Sequence, residues 1–228
     1  MSFRRVFYPG VIVSPVGSFA LSDLFSGAEA GFAFDYRDLT TLYQDSARTT
    51  PCTAAADPIN GADDVSGNAH HIGWTSGTVV GGTTGAYYAD VTDDFIQLPN
   101  ATPNPAYFLI ILDCPDVQSA IAVNAATVYF AATGSGDTTN IVHSDVGTVT
   151  YTVNGNNPTT RDALYTELIT GSQPKLLHVD GVTGAWQWKI GGYGGSYNLT
   201  AKIYGVICRD TDFSPSEITN VLSYFGAF

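Results

Sequence analysis

Few groups in this chain have the chemistry of a catalyst or a metal ligand, and their spacing limits what they can do. Glu29, Glu167 and Glu217 are its only glutamates, each isolated from the others. Glycoside hydrolysis needs two carboxyl groups flanking one bond, and a β-rich enzyme can supply them from alternate positions of a strand, which share a face. No glutamate pair meets that requirement, and Asp90, Asp93 and Asp94 make a turn-like run without a group to act as general acid. A serine nucleophile on an elbow would need G-x-S-x-G, which the sequence lacks. The residues therefore predict no enzyme and no catalytic set.

The most metal-like feature is His70-His71, with Asp63 and Asp64 a few residues earlier. Adjacent side chains of an extended segment point to opposite sides, which makes a shared ion geometrically awkward and favours two loop histidines engaged in hydrogen bonds. Calcium on Asp63, Asp64 or Asp90 would be a choice of hard oxygen ligands, but the Asp-x-Asp-x-Asp-Gly loop is absent. The expectation is no cofactor, with calcium unsupported and Asp63, Asp64, His70 and His71 as the weak metal candidates. Aromatic residues are the remaining functional candidates. Trp186 and Trp188 alternate on a predicted strand and so share a face, and Tyr193 and Tyr197 lie in the glycine-rich loop beside it. Such a cluster either stacks on a sugar or fills the core, and the high average burial of Trp weighs toward the core.

The elements that must position these residues are short strands. The chain has 228 residues, 44% hydrophobic and only 13% charged, with 24 Gly and 11 Pro as punctuation. That is the composition of many strands joined by turns, on a length suited to one large domain. Apolar runs at Ala86–Ala89, Phe95–Leu98, Tyr107–Leu112, Thr127–Ala131, Ile141–His143, Val149–Val153, Leu176–Val179, Trp186–Ile190 and Leu199–Cys208 follow an opening strand at Gly31–Asp35. Residues Leu39–Tyr43 suit one helical turn, and a long polar loop runs from there to about Asp64. About ten strands at hairpin spacing predict an all-β, two-sheet antiparallel sandwich, which the resemblance given below narrows to a jelly roll. One helix is well signalled: Ser214-Pro215-Ser216-Glu217 has N-cap, proline and glutamate in capping-box order, and Ile218, Val221, Leu222 and Phe225 follow at helical spacing. Arg161–Leu168 suits either a helix or a strand.

Residues 1–24 read as an extended N-terminal arm and 25–228 as the body. The arm carries Arg4 and Arg5, then Phe7, Tyr8, Val11 and Ile12 between prolines, and is expected to anchor the body on a partner, unless it is an edge strand of its own domain. Its prolines and glycines interrupt the apolar run expected of a signal peptide, and no stretch reaches membrane-spanning length. A net charge of −12 repels nucleic-acid phosphates, so neither nucleic acid nor a membrane is an expected partner. Cys52, Cys114 and Cys208 are odd in number and widely spaced, which argues for reduced thiols and assembly in a cytoplasm.

Three stretches carry a resemblance. The first is Gly31 to Pro51, GFAFDYRDLTTLYQDSARTTP; the second is Asp64-Val-Ser-Gly-Asn-Ala-His-His71. The third joins Trp188-Lys-Ile-Gly-Gly192, Lys202-Ile-Tyr-Gly-Val-Ile207 and the capped helix from Ser214. In that order they resemble the concanavalin A-like, laminin-G-type jelly-roll domains of tailed-bacteriophage virion proteins. The family pattern has an aromatic opening strand, a D-x-SG-x-x-NH loop, a G-x-IYG-x-I strand and a closing S-x-x-E-I helix; here the Asn/His order of the loop is shifted. The resemblance implies a non-enzymatic virion structural protein, assembled in the host cytoplasm beside other virion proteins, tail- or fibre-associated and involved in host attachment. Head (capsid) decoration or a head fibre is one alternative, and a carbohydrate-binding receptor module contacting host surface glycan is another. Symmetric appendages favour a homo-oligomer, with a trimer expected.

Overall fold

The two longest apolar runs of the sequence become the two longest strands, and they pair with each other. In a computed structural model of the chain, the residues described are 19–54, 57–73, 79–81, 87–89, 96–99, 106–117, 120–125, 128–131, 150–171, 174–182, 189–190 and 199–226. The order begins with a 3-10 turn at Leu21–Phe25, β1 (Gly31–Asp35), a second 3-10 turn at Leu39–Thr41, β2 (Leu42–Tyr43), β3 (Pro58–Ile59), β4 (Gly61–Ala62) and β5 (Ile72–Gly73). It continues with β6 (Val79–Gly81), β7 (Tyr87–Ala89), β8 (Ile96–Gln97), β9 (Tyr107–Val117), β10 (Ala120–Ala125), β11 (Val128–Ala131) and β12 (Thr150–Val153). Helix α1 (Arg161–Ile169), β13 (Lys175–Asp180), β14 (Lys189–Ile190), β15 (Leu199–Arg209) and helix α2 (Pro215–Phe225) complete it. The protein is thus mostly β, with a short C-terminal helix, and every pairing among the described strands is antiparallel.

The largest sheet has eight strands, in the order β12-β13-β9-β15-β7-β6-β3, with β1 also on β15. One edge of β15 is taken by β9 along its length; the other is shared by β7 at Ala201–Ile203 and β1 at Gly205–Arg209. A four-stranded sheet, β11-β10-β14-β8, and a three-stranded one, β2-β4-β5, make up the rest.

Because side chains alternate along a strand, the central strands feed two cores. Phe32, Phe34, Phe108, Ile110, Leu112, Leu177, Val179, Val206 and Cys208 enter one cluster, together with Leu164 and Leu168 of α1, Ile59, Leu98 and Ile190. Ala33, Leu109, Ile111, Leu176 and Ile207 enter the other, under Leu21, Leu24 and Phe25 of the first 3-10 turn and Val221 and Phe225 of α2. Burial on both faces explains why β9 reads as the unbroken run Phe-Leu-Ile-Ile-Leu rather than as an alternation.

Helix α2 starts where its cap predicts. The Ser214 side chain accepts from Glu217 N–H, Pro215 opens the first turn, and Gly226 closes the last with φ 69°. Its Phe225 ring needs the glycine beneath it, since a Cβ on Gly205 would lie 2.4 Å from Phe225 Cζ. Arg37 fastens the far end of the helix, donating to both carboxylate oxygens of buried Asp35 and, at 3.1 Å, to the Tyr224 carbonyl. Gly31 is required for a related reason: at φ +151°, its Cβ would meet the Cys208 carbonyl at 2.0 Å.

Several details differ from the sequence reading. Leu39–Tyr43 is one 3-10 turn followed by β2, and the polar loop before Asp64 contains β3 and β4. Arg161–Leu168, open between helix and strand, is helical, because Thr160 caps it and Leu164 and Leu168 lie one turn apart on the core. Residues 19–24, counted with the arm, lie on the body: Leu21 and Leu24 are buried and Phe19 meets Tyr224 edge-on. The rest of the arm, including Arg4, Arg5, Phe7, Tyr8, Val11 and Ile12, falls outside the described residues, as does the expected strand at 141–143. No described helix is long and apolar enough to cross a membrane.

Candidate functional site

Four of the polar residues singled out by type, Asp63, Asp64, His70 and His71, lie on the loop between β4 and β5, beside the start of β1. Asp64 is the centre of that loop. Its Oδ1 accepts the N–H groups of Ala33 and Ser66, each at 2.9 Å. Its Oδ2 accepts Ser66 Oγ–H at 2.8 Å and His70 N–H at 2.9 Å. An ionised carboxylate offers about four lone-pair positions, and all four are occupied by protein donors. A cation could bind Asp64 only by displacing one of these bonds. Asn68 extends the same clamp, its amide donating to the carbonyls of Glu29 and Gly31, both at 3.0 Å.

Asp63 faces the other way, into the three-stranded sheet. Tyr43 O–H donates to it at 2.7 Å, and Arg48 pairs with its second oxygen. The Asp63 carboxylate, as acceptor, holds the Tyr43 phenol above its ordinary pKa. His71 Nδ1 stands 3.2 Å from Asp63 Oδ1 and 3.1 Å from Asp64 N–H. One nitrogen cannot accept from the amide and donate to the carboxylate at once; with Tyr43 and Arg48 already serving Asp63, the amide bond assigns Nδ1 as acceptor and puts the ring proton on Nε2. The His70 ring goes elsewhere, edge-on to Phe32 at 6.5 Å.

The two histidines thus diverge as alternation predicts, and Asp63 and Asp64 look to different partners. Among the described residues, no group of three or more His, Cys, Asp or Glu is arranged to hold a metal ion. Trp186, Trp188, Tyr193 and Tyr197, the sugar-stacking candidates, and Asp90, Asp93 and Asp94 lie outside the described residues.

A second polar centre was not singled out from the sequence. Arg209, at the end of β15, is only 3% exposed. All five of its N–H groups are used: Nε to the Thr211 carbonyl, Nη1 to the Leu24 carbonyl and Glu217 Oε1, Nη2 to the Asp212 carbonyl and Glu217 Oε2. The guanidinium also covers the Phe213 ring at 4.2 Å. The Arg209 guanidinium, aided by Ser214, lowers the Glu217 carboxyl to about 2. One arginine therefore joins the large sheet, the first 3-10 turn and the N-terminus of α2.

No family model, curated protein or solved structure matches the chain.

Burial raises Cys52 to about 11 and puts Cys208 well above its ordinary value, so neither is a ready nucleophile at neutral pH.

Proposed function

We propose that this chain is a non-enzymatic structural protein of a tailed-bacteriophage virion: a concanavalin A-like jelly-roll body, fastened through its N-terminal arm, associated with the tail or its fibres and acting in host attachment. One observation carries the reading. Parts of the three stretches that resemble the phage family, far apart in sequence, meet at one structural joint: β1, the Asp64–Asn68 loop, the end of β15 and helix α2. The opening strand, β1, pairs with the end of β15 from the third stretch. The second stretch holds β1 in place through Asp64 to Ala33 and Asn68 to Gly31. The closing helix seats Phe225 on Gly205 and ties Glu217 to Arg209. Asp64, Asn68 and Glu217 thus spend their hydrogen bonds on holding the fold together, which suits a scaffold better than a reaction centre. The sandwich arrangement is supported by the first cluster, where Ile190 of the four-stranded sheet joins side chains of the eight-stranded one.

The arm supplies attachment. Its two arginines and large apolar side chains precede a body of strongly acidic charge, which suits strand-like pairing with a neighbouring subunit and charge pairing with its surface. A homo-oligomer, a trimer on symmetry grounds, is part of this proposal. Deleting residues 2–18 tests it, and leaves in place Phe19, which meets Tyr224, and the 3-10 turn at Leu21–Phe25. The truncated chain should melt within a few degrees of the full chain and fail to enter particles. A large loss of melting temperature with normal incorporation would overturn the proposal, and copy number in intact particles separates tail from head decoration.

A further inference from the structure

Two asparagines of this chain precede glycine, Asn60 and Asn154. A glycine nitrogen has no Cβ beside it to hinder attack on the side-chain amide before it, and the fold treats the two pairs differently. Asn154 and Gly155 form a two-residue turn: Val153 N–H donates to the Asn156 carbonyl at 2.8 Å, Asn156 N–H to the Val153 carbonyl at 2.9 Å, and both turn residues have positive φ, 48° and 87°. Asn-Gly is a pair that such a turn favours. Asn154 N–H donates to the Leu176 carbonyl at 3.0 Å, and Leu176 N–H donates to Asn154 Oδ1 at 2.9 Å. The side-chain carbonyl thus stands in for a main-chain one at the end of the β12–β13 ladder, and the donor identifies which amide atom is the oxygen.

This arrangement leaves the groups of a ring closure ready. Asn154 Cγ is the electrophile, and the Leu176 N–H on its oxygen both positions it and stabilises the negative charge that gathers there as a nitrogen adds. Gly155 N is the nucleophile: the glycine is exposed, and among the described residues nothing accepts from its N–H. Asn154 Nδ2 is the leaving group, and no described residue accepts from it either. Asn60 has none of these freedoms. Its Nδ2 donates to the Gln44 carbonyl and its N–H to the Tyr43 carbonyl, both at 2.8 Å. Gly61 is buried in β4, the middle strand of its sheet, between Tyr43 and Gly73, where even a Cβ would lie 2.8 Å from the Asp45 carbonyl oxygen. Closing a ring there requires the strand to open first.

We propose that Asn154 is a site of spontaneous deamidation in the folded protein, with water as the only co-reactant, and that Asn60 is not. Gly155 N gives its proton to solvent and bonds to Asn154 Cγ; the Cγ–Nδ2 bond breaks, and Nδ2 takes up a proton and leaves as ammonia. Water then opens the cyclic imide, and no atom is oxidised or reduced. Attack at Cγ breaks the new bond and leaves an aspartate, whose oxygen still accepts from Leu176 N–H. Attack at the main-chain carbonyl carbon leaves isoaspartate, with the chain now running through Cβ and Cγ. That product adds a methylene to a turn closed by two residues, so the Val153–Asn156 pair and the Leu176 bonds cannot all survive. The end of β12, the outer strand of the eight-stranded sheet, is thereby loosened.

The test is incubation of the full chain in mildly alkaline buffer, native and in guanidinium chloride. Peptide mass spectrometry follows the mass gain of an amide-to-acid exchange, with fragmentation that separates isoaspartate from aspartate. Each peptide's native rate is taken relative to its own unfolded rate. That ratio should be at least about tenfold larger for Asn154 than for Asn60, the factor that an opening free energy of only about 1.4 kcal/mol at β4 gives. In native chains carrying isoaspartate, hydrogen–deuterium exchange at Asn156 and Leu176 should be faster. Asn154→Asp, which adds the charge without rerouting the backbone, should keep both amides protected. Equal ratios at the two sites, an Asn154 that converts only when unfolded, a native product without isoaspartate, or amides loosened as much by Asn154→Asp would each overturn the proposal.

Discussion

Replacing Glu217 with glutamine preserves size and part of the helix cap while removing the charge that answers Arg209. Two hydrogen bonds of 2.7 and 2.8 Å join the carboxylate to a guanidinium that is almost fully buried. In the fold the carboxyl sits at about 2, against an ordinary 4.5. At about 1.36 kcal/mol per unit, that difference corresponds to roughly 3 kcal/mol of stabilisation. Partial exposure of Glu217 lets water screen some of it, so about 2–3 kcal/mol is the expected loss in Glu217→Gln at pH 7. The sign follows from the depressed value: the stabilisation is complete above 4.5 and disappears as pH falls through about 2. Urea unfolding of both proteins from pH 7 to pH 2 measures it. The gap should stay constant down to pH 5, narrow below that, and nearly close at the acid end. A gap that keeps its size throughout would show that shape or capping, rather than the charge pair, sets the stability of the joint.

Two further substitutions probe the same joint from other sides. Asp64→Asn turns one carboxylate oxygen, the acceptor of two of the four hydrogen bonds, into a donor facing donors and leaves buried groups unsatisfied; a loss of about 2–4 kcal/mol in urea unfolding is expected, and an unchanged midpoint would refute the clamp. Gly205→Ala drives a methyl group into the Phe225 ring and should cost about 1–3 kcal/mol, with Phe225→Leu recovering part of that loss in the double variant; additive effects would mean that the two residues do not meet.

How far the fold could be read from sequence depended on where the determining contacts lie. Helix α2 was legible because its code is contiguous: Ser214, Pro215 and Glu217 define the start, and Ile218, Val221, Leu222 and Phe225 define the buried stripe. The longer strands were legible because each carries its own apolar run. β10, Ala-Ile-Ala-Val-Asn-Ala, was not, since alanine and asparagine have little preference for a strand and only the pairing with β11 and β14 makes it one. β3 and β4 were missed for another reason. Pro58, Asn60, Gly61 and Ala62 show no alternation, and these short strands depend on turn bonds such as Asn60 Nδ2 to the Gln44 carbonyl and Asn60 N–H to the Tyr43 carbonyl.

The polar residues teach the sharper lesson. His70, His71, Asp63 and Asp64 have the types of a metal site, and sequence can read types and alternation but not whether lone pairs are already spent; one of the four bonds on Asp64 comes from Ala33, a residue 31 positions away. Glu217 shows the converse. Capping accounts for its type and position, so nothing local called for a second role. Yet the same carboxylate takes Ser214 N–H at 2.7 Å on Oε2 and spreads both oxygens across Arg209. The helix start and the buried arginine therefore stand or fall together: the cap orients the carboxylate, the carboxylate neutralises the guanidinium, and the guanidinium holds the Leu24, Thr211 and Asp212 carbonyls that close the joint.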